Sequence, residues 1–147
     1  MCRTYGSDAR FSIACEDTKL NRSQMMAAVR SKDTKPEMLV SRLVHGMGYR
    51  YRLHRPDLPG KPDLVLAGRR KIIFIHGCFW HLHRKIACKD SGIPKTRQEY
   101  WIPKLEGNKK RDRRTVNLLK RDGWDVLVVW ECETKNVTVL SKQMRVF

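Results

Sequence analysis

Three short apolar runs limit most what this chain can fold into. Residues 63–67 (DLVLA), 71–76 (KIIFIH) and 124–130 (WDVLVVW) are rich in aliphatic side chains and too short for typical helices, so they read as strands. The turn AGRR separates the first two, which makes them hairpin partners. Residues 49–54 (YRYRLH) alternate and give another strand, ahead of the Pro/Gly-rich turn RPDLPGKP. Helical patterns surround these runs. Thr34-Lys35-Pro36-Glu37 has the form of a capping box, Met38, Leu39, Leu43, Val44 and Met47 follow at helical spacing, and Gly48 is placed to end the helix. A second box, Thr96 to Glu99, opens a pattern running through Leu105, Asp112, Val116 and Leu119 to Gly123, which Pro103 is expected to kink or restart. Residues 21–30 (NRSQMMAAVR) are a short helix candidate. The order α-α-β-β-β-α-β predicts an α/β fold, a mixed sheet flanked by helices. Residues 1–20 lack periodicity and are expected to form a flexible arm before a single domain over 21–147. From Glu131 the chain turns polar, and no further element is expected.

The chain has 147 residues, 41% of them hydrophobic, enough for one domain with a proper core. Lys and Arg number 31 against 15 Asp and Glu, a formal net charge of +16. Such an excess favours a polyanionic partner, because counterions released from phosphates drive binding. An anionic membrane fits less well, since neither a long apolar run nor a strongly basic amphipathic helix is present. The N-terminal residues contain no apolar stretch of signal-peptide length, which predicts a cytoplasmic protein. Five cysteines are an odd number in a reducing compartment, so Cys78, Cys88 and Cys132 read as metal ligands or buried thiols, and Cys2 and Cys15 as incidental.

The stretch HGCFWHLHRKIAC, residues 76–88, gathers three histidines, two cysteines and two large aromatics. Cys78, His83, Cys88 and the distant Cys132 make a donor set of zinc type, able to fasten an irregular loop that has little core of its own. Buried apolar thiols at Cys78 and Cys132 are the alternative. His76 and His81 remain, and Pro62-Asp63 places a carboxylate near the strand that His76 ends. A magnesium ion needs such hard oxygen donors, although Asp63 could equally cap a turn. The run Asn108-Lys109-Lys110-Arg111-Asp112-Arg113-Arg114 puts Asn108 and Asp112 on one helix face. Asp112 could orient a histidine, and the basic residues could meet phosphates or simply solvent. Phe79, Trp80 and Trp101 could stack on bases or bury the loop against the body.

Taken together, Leu58-Pro59-Gly60-Lys61-Pro62-Asp63, Phe74-Ile75-His76-Gly77-Cys78-Phe79-Trp80-His81, Glu99-Tyr100-Trp101, the basic run 108–114, and Gly123-Trp124 through Val129-Trp130-Glu131-Cys132 resemble the very short patch repair (Vsr) DNA mismatch endonucleases. The resemblance implies a restriction-endonuclease-like core with a structural zinc loop and two metals, catalytic Mg2+ and structural Zn2+. It implies nicking of one strand 5′ of the thymine of a T:G mismatch left by deamination of 5-methylcytosine. Asp63 is then the magnesium carboxylate, with the backbone carbonyl of Ile75 as a second ligand. His76 and His81 are the active-site histidines, His81 activating the attacking water with Asp112 orienting it, and Glu37 matches a glutamate near the active site. Cys78, His83, Cys88 and Cys132 match the zinc set. Phe79, Trp80 and Trp101 match intercalating aromatics, and Met26 an apolar residue approaching from the other groove. Lys61, Asn108, Lys109, Arg111 and Arg113 complete the expected DNA contacts.

Lys85 stands near the point where the family often carries a cysteine, so Cys88 serves as the third zinc ligand only across a loop insertion. The strand that would carry the Glu-x-Lys of the wider restriction nucleases reads Phe74-Ile75-His76 instead. The expected partner is double-stranded DNA containing a mismatch, bound by a monomer with no membrane association. Functional coupling to cytosine-5 methylation and mismatch-repair proteins follows from the same resemblance, as does a bacterial, nucleoid-associated setting. A restriction-type nuclease of other specificity and a non-catalytic DNA-binding module are the competing readings.

Overall fold

The structure is a computed structural model and describes residues 32–85 and 87–147. The arm over 1–20, the helix over 21–30 and Met26 lie outside the described residues. Helix α1 spans Lys35–Gly46. Its N-cap is Thr34, whose hydroxyl oxygen accepts from the Glu37 N–H at 3.5 Å, as the capping-box pattern predicts. Gly48 follows the helix with φ +81, a left-handed conformation that glycine adopts without strain.

Strands β1 (Arg52–Leu53), β2 (Leu64–Leu66), β3 (Lys71–His76) and β4 (Asp125–Trp130) form one sheet in the order β1-β2-β3-β4. The first three pair antiparallel. Strand β4 lies parallel to β3, in register from Lys71 opposite Asp125 to His76 opposite Trp130. A parallel pair needs a crossover, and helix α2 (Gln98–Arg121) supplies it. Helix α3 (Val137–Val146) closes the fold.

Side chains alternate across a strand, so the sheet has two faces to cover. Leu64, Leu66, Ile73 and Val129 share a core with Val40 and Val44 of α1 and Leu140 and Met144 of α3. Val65, Ile72 and Phe74 point the other way and meet Leu119 of α2. The same alternation sends His76 to the α2 side. The loop before β2 rests on that helix too. Gly60 has φ +76, and a Cβ there would stand 2.3 Å from Thr115 Cγ2, so only glycine allows the backbone this close.

The structure corrects four sequence expectations. The expected 49–54 strand shrinks to Arg52–Leu53, because only that part faces β2. The cap of α2 is Arg97 in a left-handed conformation, with no side-chain cap bond, and Thr96 forms no capping box. The helix does not restart at Pro103 but runs through it as one element of 24 residues. Proline near the start of a helix removes a single N–H bond, and packing of Trp101 against Phe79 and Trp80 holds the first turns. Finally, the polar C-terminal segment contains α3. Asn136 caps it through the Val139 N–H at 3.2 Å, and Leu140 and Met144, four apart on one face, are buried; the spacing of Val137, Leu140 and Met144 was the available signal.

Leu140 is fully buried between α1 and the sheet. Leu140→Ala should destabilise the protein by about 2–4 kcal/mol, the usual cost of lost contacts plus a cavity. Equilibrium urea unfolding measures this, and a loss below about 1 kcal/mol would show that α3 contributes little to the core.

Candidate active site and metal centre

Asp63 directly precedes β2, which begins one residue later than the sequence predicts, at Leu64. Two neighbouring strands hold it. Its carbonyl accepts from the His54 N–H at 3.1 Å, and its carboxylate Oδ2 accepts from the Ile75 N–H at 2.7 Å. The Ile75 backbone thus meets the Asp63 side chain through its N–H, beside the carbonyl singled out in the sequence. Burial pushes the Asp63 carboxyl up to about 6; the Ile75 N–H pulls it down, the Glu37 charge raises it, and His54 and His81 lower it. Glu37 sits at the N-terminus of α1. Its Oε1 accepts from the Thr34 hydroxyl at 2.8 Å and its Oε2 from the Asp33 N–H at 2.9 Å. The capping box therefore holds this carboxylate still while leaving its charge within reach of Asp63.

On the α2 side, the rings of His76 and His81 stack with centroids 4.0 Å apart and planes 6° apart. His81 Nδ1–H donates to Asp112 Oδ2 at 2.5 Å. That bond assigns the proton to Nδ1 and leaves Nε2 free as an acceptor. His76 is buried, and desolvation, reinforced by the His81 charge, lowers it to about 4, so it is neutral near pH 7. Asp112 lies one helical turn before Thr115, the residue on which Gly60 rests. The Pro/Gly turn thereby registers the Asp63 strand against the helix that orients His81.

Cys78, His83, Cys88 and Cys132 each direct a donor atom into one cluster, with all four atoms within 4.8 Å of one another. Cys132 Sγ lies 3.4 Å from His83 Nδ1, and the Cys132 N–H donates to Cys78 Sγ at 3.4 Å. Tetrahedral zinc with Zn–S bonds near 2.3 Å places its donors about 3.8 Å apart, which this cluster accommodates with small adjustments. Burial pushes the Cys78 thiol up to about 12, so a cation is the natural way to hold it as thiolate. Lys85 is exposed, and its carbonyl accepts from the Cys88 N–H at 2.8 Å, a turn that brings Cys88 inward as the third sulfur.

Phe79, Trp80 and Trp101 form one aromatic cluster, with centroids 5.1, 5.5 and 6.1 Å apart. Two further side chains, given no role from the sequence, adjoin it. Tyr100 packs on Trp101 and is 54% exposed, and the Lys104 ammonium lies over the Trp80, Tyr100 and Trp101 rings. The four-residue spacing of Tyr100 and Lys104 on a helix was the available signal. Asn108, expected at DNA, donates from Nδ2 to the Trp80 carbonyl at 3.1 Å and accepts from Arg111 at 2.9 Å, so its amide is engaged within the protein. Lys61, Lys109, Arg111 and Arg113 are exposed. Asp33 and His54, which the sequence did not single out, gather with Glu37 in a third cluster. No described helix is long and apolar enough to cross a membrane.

Comparison with known proteins adds an independent line. Residues 16–87 match the family described as DNA mismatch endonuclease Vsr. The chain is 48% identical over 124 residues to the type II nicking enzyme V.XorIIP of Xanthomonas oryzae pv. oryzae, covering 84% of this chain and 89% of that one. It is 43% identical over 125 residues to the DNA mismatch endonuclease Vsr of Escherichia coli, covering 85% and 78%. Among solved structures, the catalytic domain of the homing endonuclease I-Bth0305I shares the fold with a TM-score of 0.54 at 20% identity, covering 76% of this chain and 91% of that one.

The state of Asp63 has a consequence for stability. Its folded value of about 6 lies above the ordinary 3.8, so the folded protein holds this proton more tightly than the unfolded chain does. Stability from this group is full at low pH and declines as pH rises through roughly 4 to 6. In magnesium-free buffer, Asp63→Asn should match wild type near pH 4 and exceed it by on the order of 2 kcal/mol above pH 6.5. Chemical unfolding across this range tests it; a pH-independent difference would contradict a desolvated carboxyl.

Proposed function

We propose, because this chain belongs to the DNA mismatch endonuclease Vsr family, that it nicks one strand of duplex DNA 5′ of the thymine in a T:G mismatch by Mg2+-dependent hydrolysis. The observation that carries this reading is the His81–Asp112 pair, held at 2.5 Å, with His81 near enough to Asp63 for their charges to interact and directly following Phe79 and Trp80 in the chain. One short segment thus joins a proton acceptor to an aromatic wedge.

Asp63 and the Ile75 carbonyl are the groups to hold Mg2+; buried carboxylate oxygen beside backbone oxygen suits a hard cation. When bound, the ion supplies positive charge that neutralises the scissile phosphate and its leaving oxygen. His81 takes a proton from the attacking water at Nε2, and Asp112 keeps the ring in the right tautomer and balances the imidazolium that forms. The new bond joins water oxygen to phosphorus as the bond to the leaving sugar oxygen breaks. Neutral His76, stacked on His81, positions the phosphate. Glu37 orients water at the Asp63 side of the site. Zn2+ in the Cys78, His83, Cys88 and Cys132 cluster fastens the loop that carries Phe79, Trp80 and His81. The aromatics enter the stack beside the mismatch, where unstacking is easiest, and Lys61, Lys109, Arg111 and Arg113 meet phosphates. The enzyme acts as a monomer on bacterial chromosomal DNA and repairs the lesions that cytosine-5 methylation generates.

With Mg2+, a T:G duplex should be nicked on the thymine strand while the matched T:A duplex stays intact. Asp63→Ala should abolish the cut without abolishing binding, and His81→Ala should slow it about 10²–10⁴-fold, the range for loss of a general base. Strand-resolved gel analysis measures both. Equal cutting of both duplexes would remove the mismatch specificity, a double-strand cut would favour a restriction-type nuclease, and binding without any cut would favour a DNA-binding module. Metal analysis should find about one zinc per chain, lost in Cys132→Ser together with thermal stability. A zinc-free protein with full stability would refute the fastener.

A further inference from the structure

His54 has no role in the chemistry above, yet it is held in an unusual way. It follows β1 with φ +48, a left-handed conformation that costs a non-glycine residue about 1–3 kcal/mol. Surrounding contacts must hold it there. Its backbone N–H donates to the Asp63 carbonyl at 3.1 Å, which extends the pairing of β1 with β2 to the residue that carries the site carboxylate. Its ring turns toward α1. Nε2 lies 3.8 Å from Glu37 Oε2 and 3.8 Å from Asp33 Oδ1, and the His54 and Glu37 side chains are only 23% and 12% exposed.

One residue therefore bonds to Asp63 through its backbone and brings its ring to 3.8 Å from the Glu37 carboxylate. This matters because Asp63 and Glu37 are like charges in a half-buried site and push each other apart. The α1 cap restrains Glu37 from one side only, through Thr34 and Asp33. The His54 ring, with Nε2 3.8 Å from a carboxylate oxygen of each of Asp33 and Glu37, stands against both acidic side chains from the sheet side.

We propose that His54 is a positioning residue for the nicking reaction, a brace that sets Glu37 relative to Asp63. This rests on the reading of Asp63 and Glu37 as parts of the active site.

The geometry specifies which replacements should work. The brace acts through Nε2, whose place the glutamine amide nitrogen can occupy, whereas the asparagine amide reaches only as far as Nδ1. Asparagine, however, is the side chain that best tolerates the left-handed backbone. His54→Asn should therefore fold normally and lack the brace. Its single-turnover nicking of a T:G duplex with Mg2+ should fall roughly 10- to 100-fold, in line with the cost of misplacing a reacting group. Its Kd for the same duplex, measured with Ca2+ in place of Mg2+, should stay within about twofold and its Tm within about 2 °C, differences too small to reflect a change of fold. His54→Gln should recover most of the lost rate. Nicking by His54→Asn within twofold of wild type overturns the proposal. So do equal rates for the two variants, or a loss of rate that tracks loss of DNA affinity or Tm, since those results describe a structural residue. Asp63→Ala in the same assay separates the two levels. If it nicks like wild type, the reading of the site fails; if it is inactive while His54→Asn is unimpaired, only the brace fails.

Discussion

The parallel pairing of β3 with β4 is the constraint on which the rest of the structure depends. Two parallel strands in register end on the same side, and here both end together at His76 and Trp130. Cys78 and Cys132 each lie two residues beyond those ends, so the ladder delivers two thiols to one place from positions far apart in the chain. His83 and Cys88 then need only a short turn to complete the donor set. Between β3 and α2 the described residues of the loop form one short 3-10 turn, Lys89–Ser91, and are otherwise irregular. With its metal-capable donors drawn to one point, its remaining residues are free to face other partners.

Strand alternation divides the labour within that loop and the strand before it. His76 points to the α2 face, where His81 stacks on it and Asp112 holds His81. His83 turns away to join the cysteines and stacks on Trp130, with ring centroids 4.2 Å apart. Phe79 and Trp80 go to the aromatic cluster with Trp101. Three separate sites thus arise from neighbouring residues because each side chain has a different element to pack against.

The carboxylate side of the site is built by other means. Asp63 is desolvated, and one backbone N–H, that of Ile75, rather than a cationic side chain bonds its carboxylate. Glu37 is held by a helix cap, and the same capping box that starts α1 therefore also places a charge. Local structure and site geometry are one set of contacts here, so the cap and the site could not vary independently.

The sequence by itself determined much of this. Hydrophobic runs located β2, β3 and β4 to within a residue or so, because buried strands need continuous apolar side chains. The Thr34 to Glu37 pattern located α1, because its bonds join residues three apart. The zinc-type donors and the Asp63, His76, His81 and Asp112 constellation were visible as residue types and as a family resemblance. What only the tertiary structure decided were features that depend on partners distant in the chain. Helix α3 has an amphipathic spacing of its own, but that Leu140 and Met144 pack against α1 and the sheet was decided by the fold. Cys88, and not Lys85, faces the other donors because of how the loop folds back. Asn108 is spent on the Trp80 carbonyl, and Lys104 lies over three rings. His54 shows this limit most plainly. In the sequence it is one more polar residue ending YRYRLH, and its relation to Glu37 and Asp63 exists only once sheet and helix have packed.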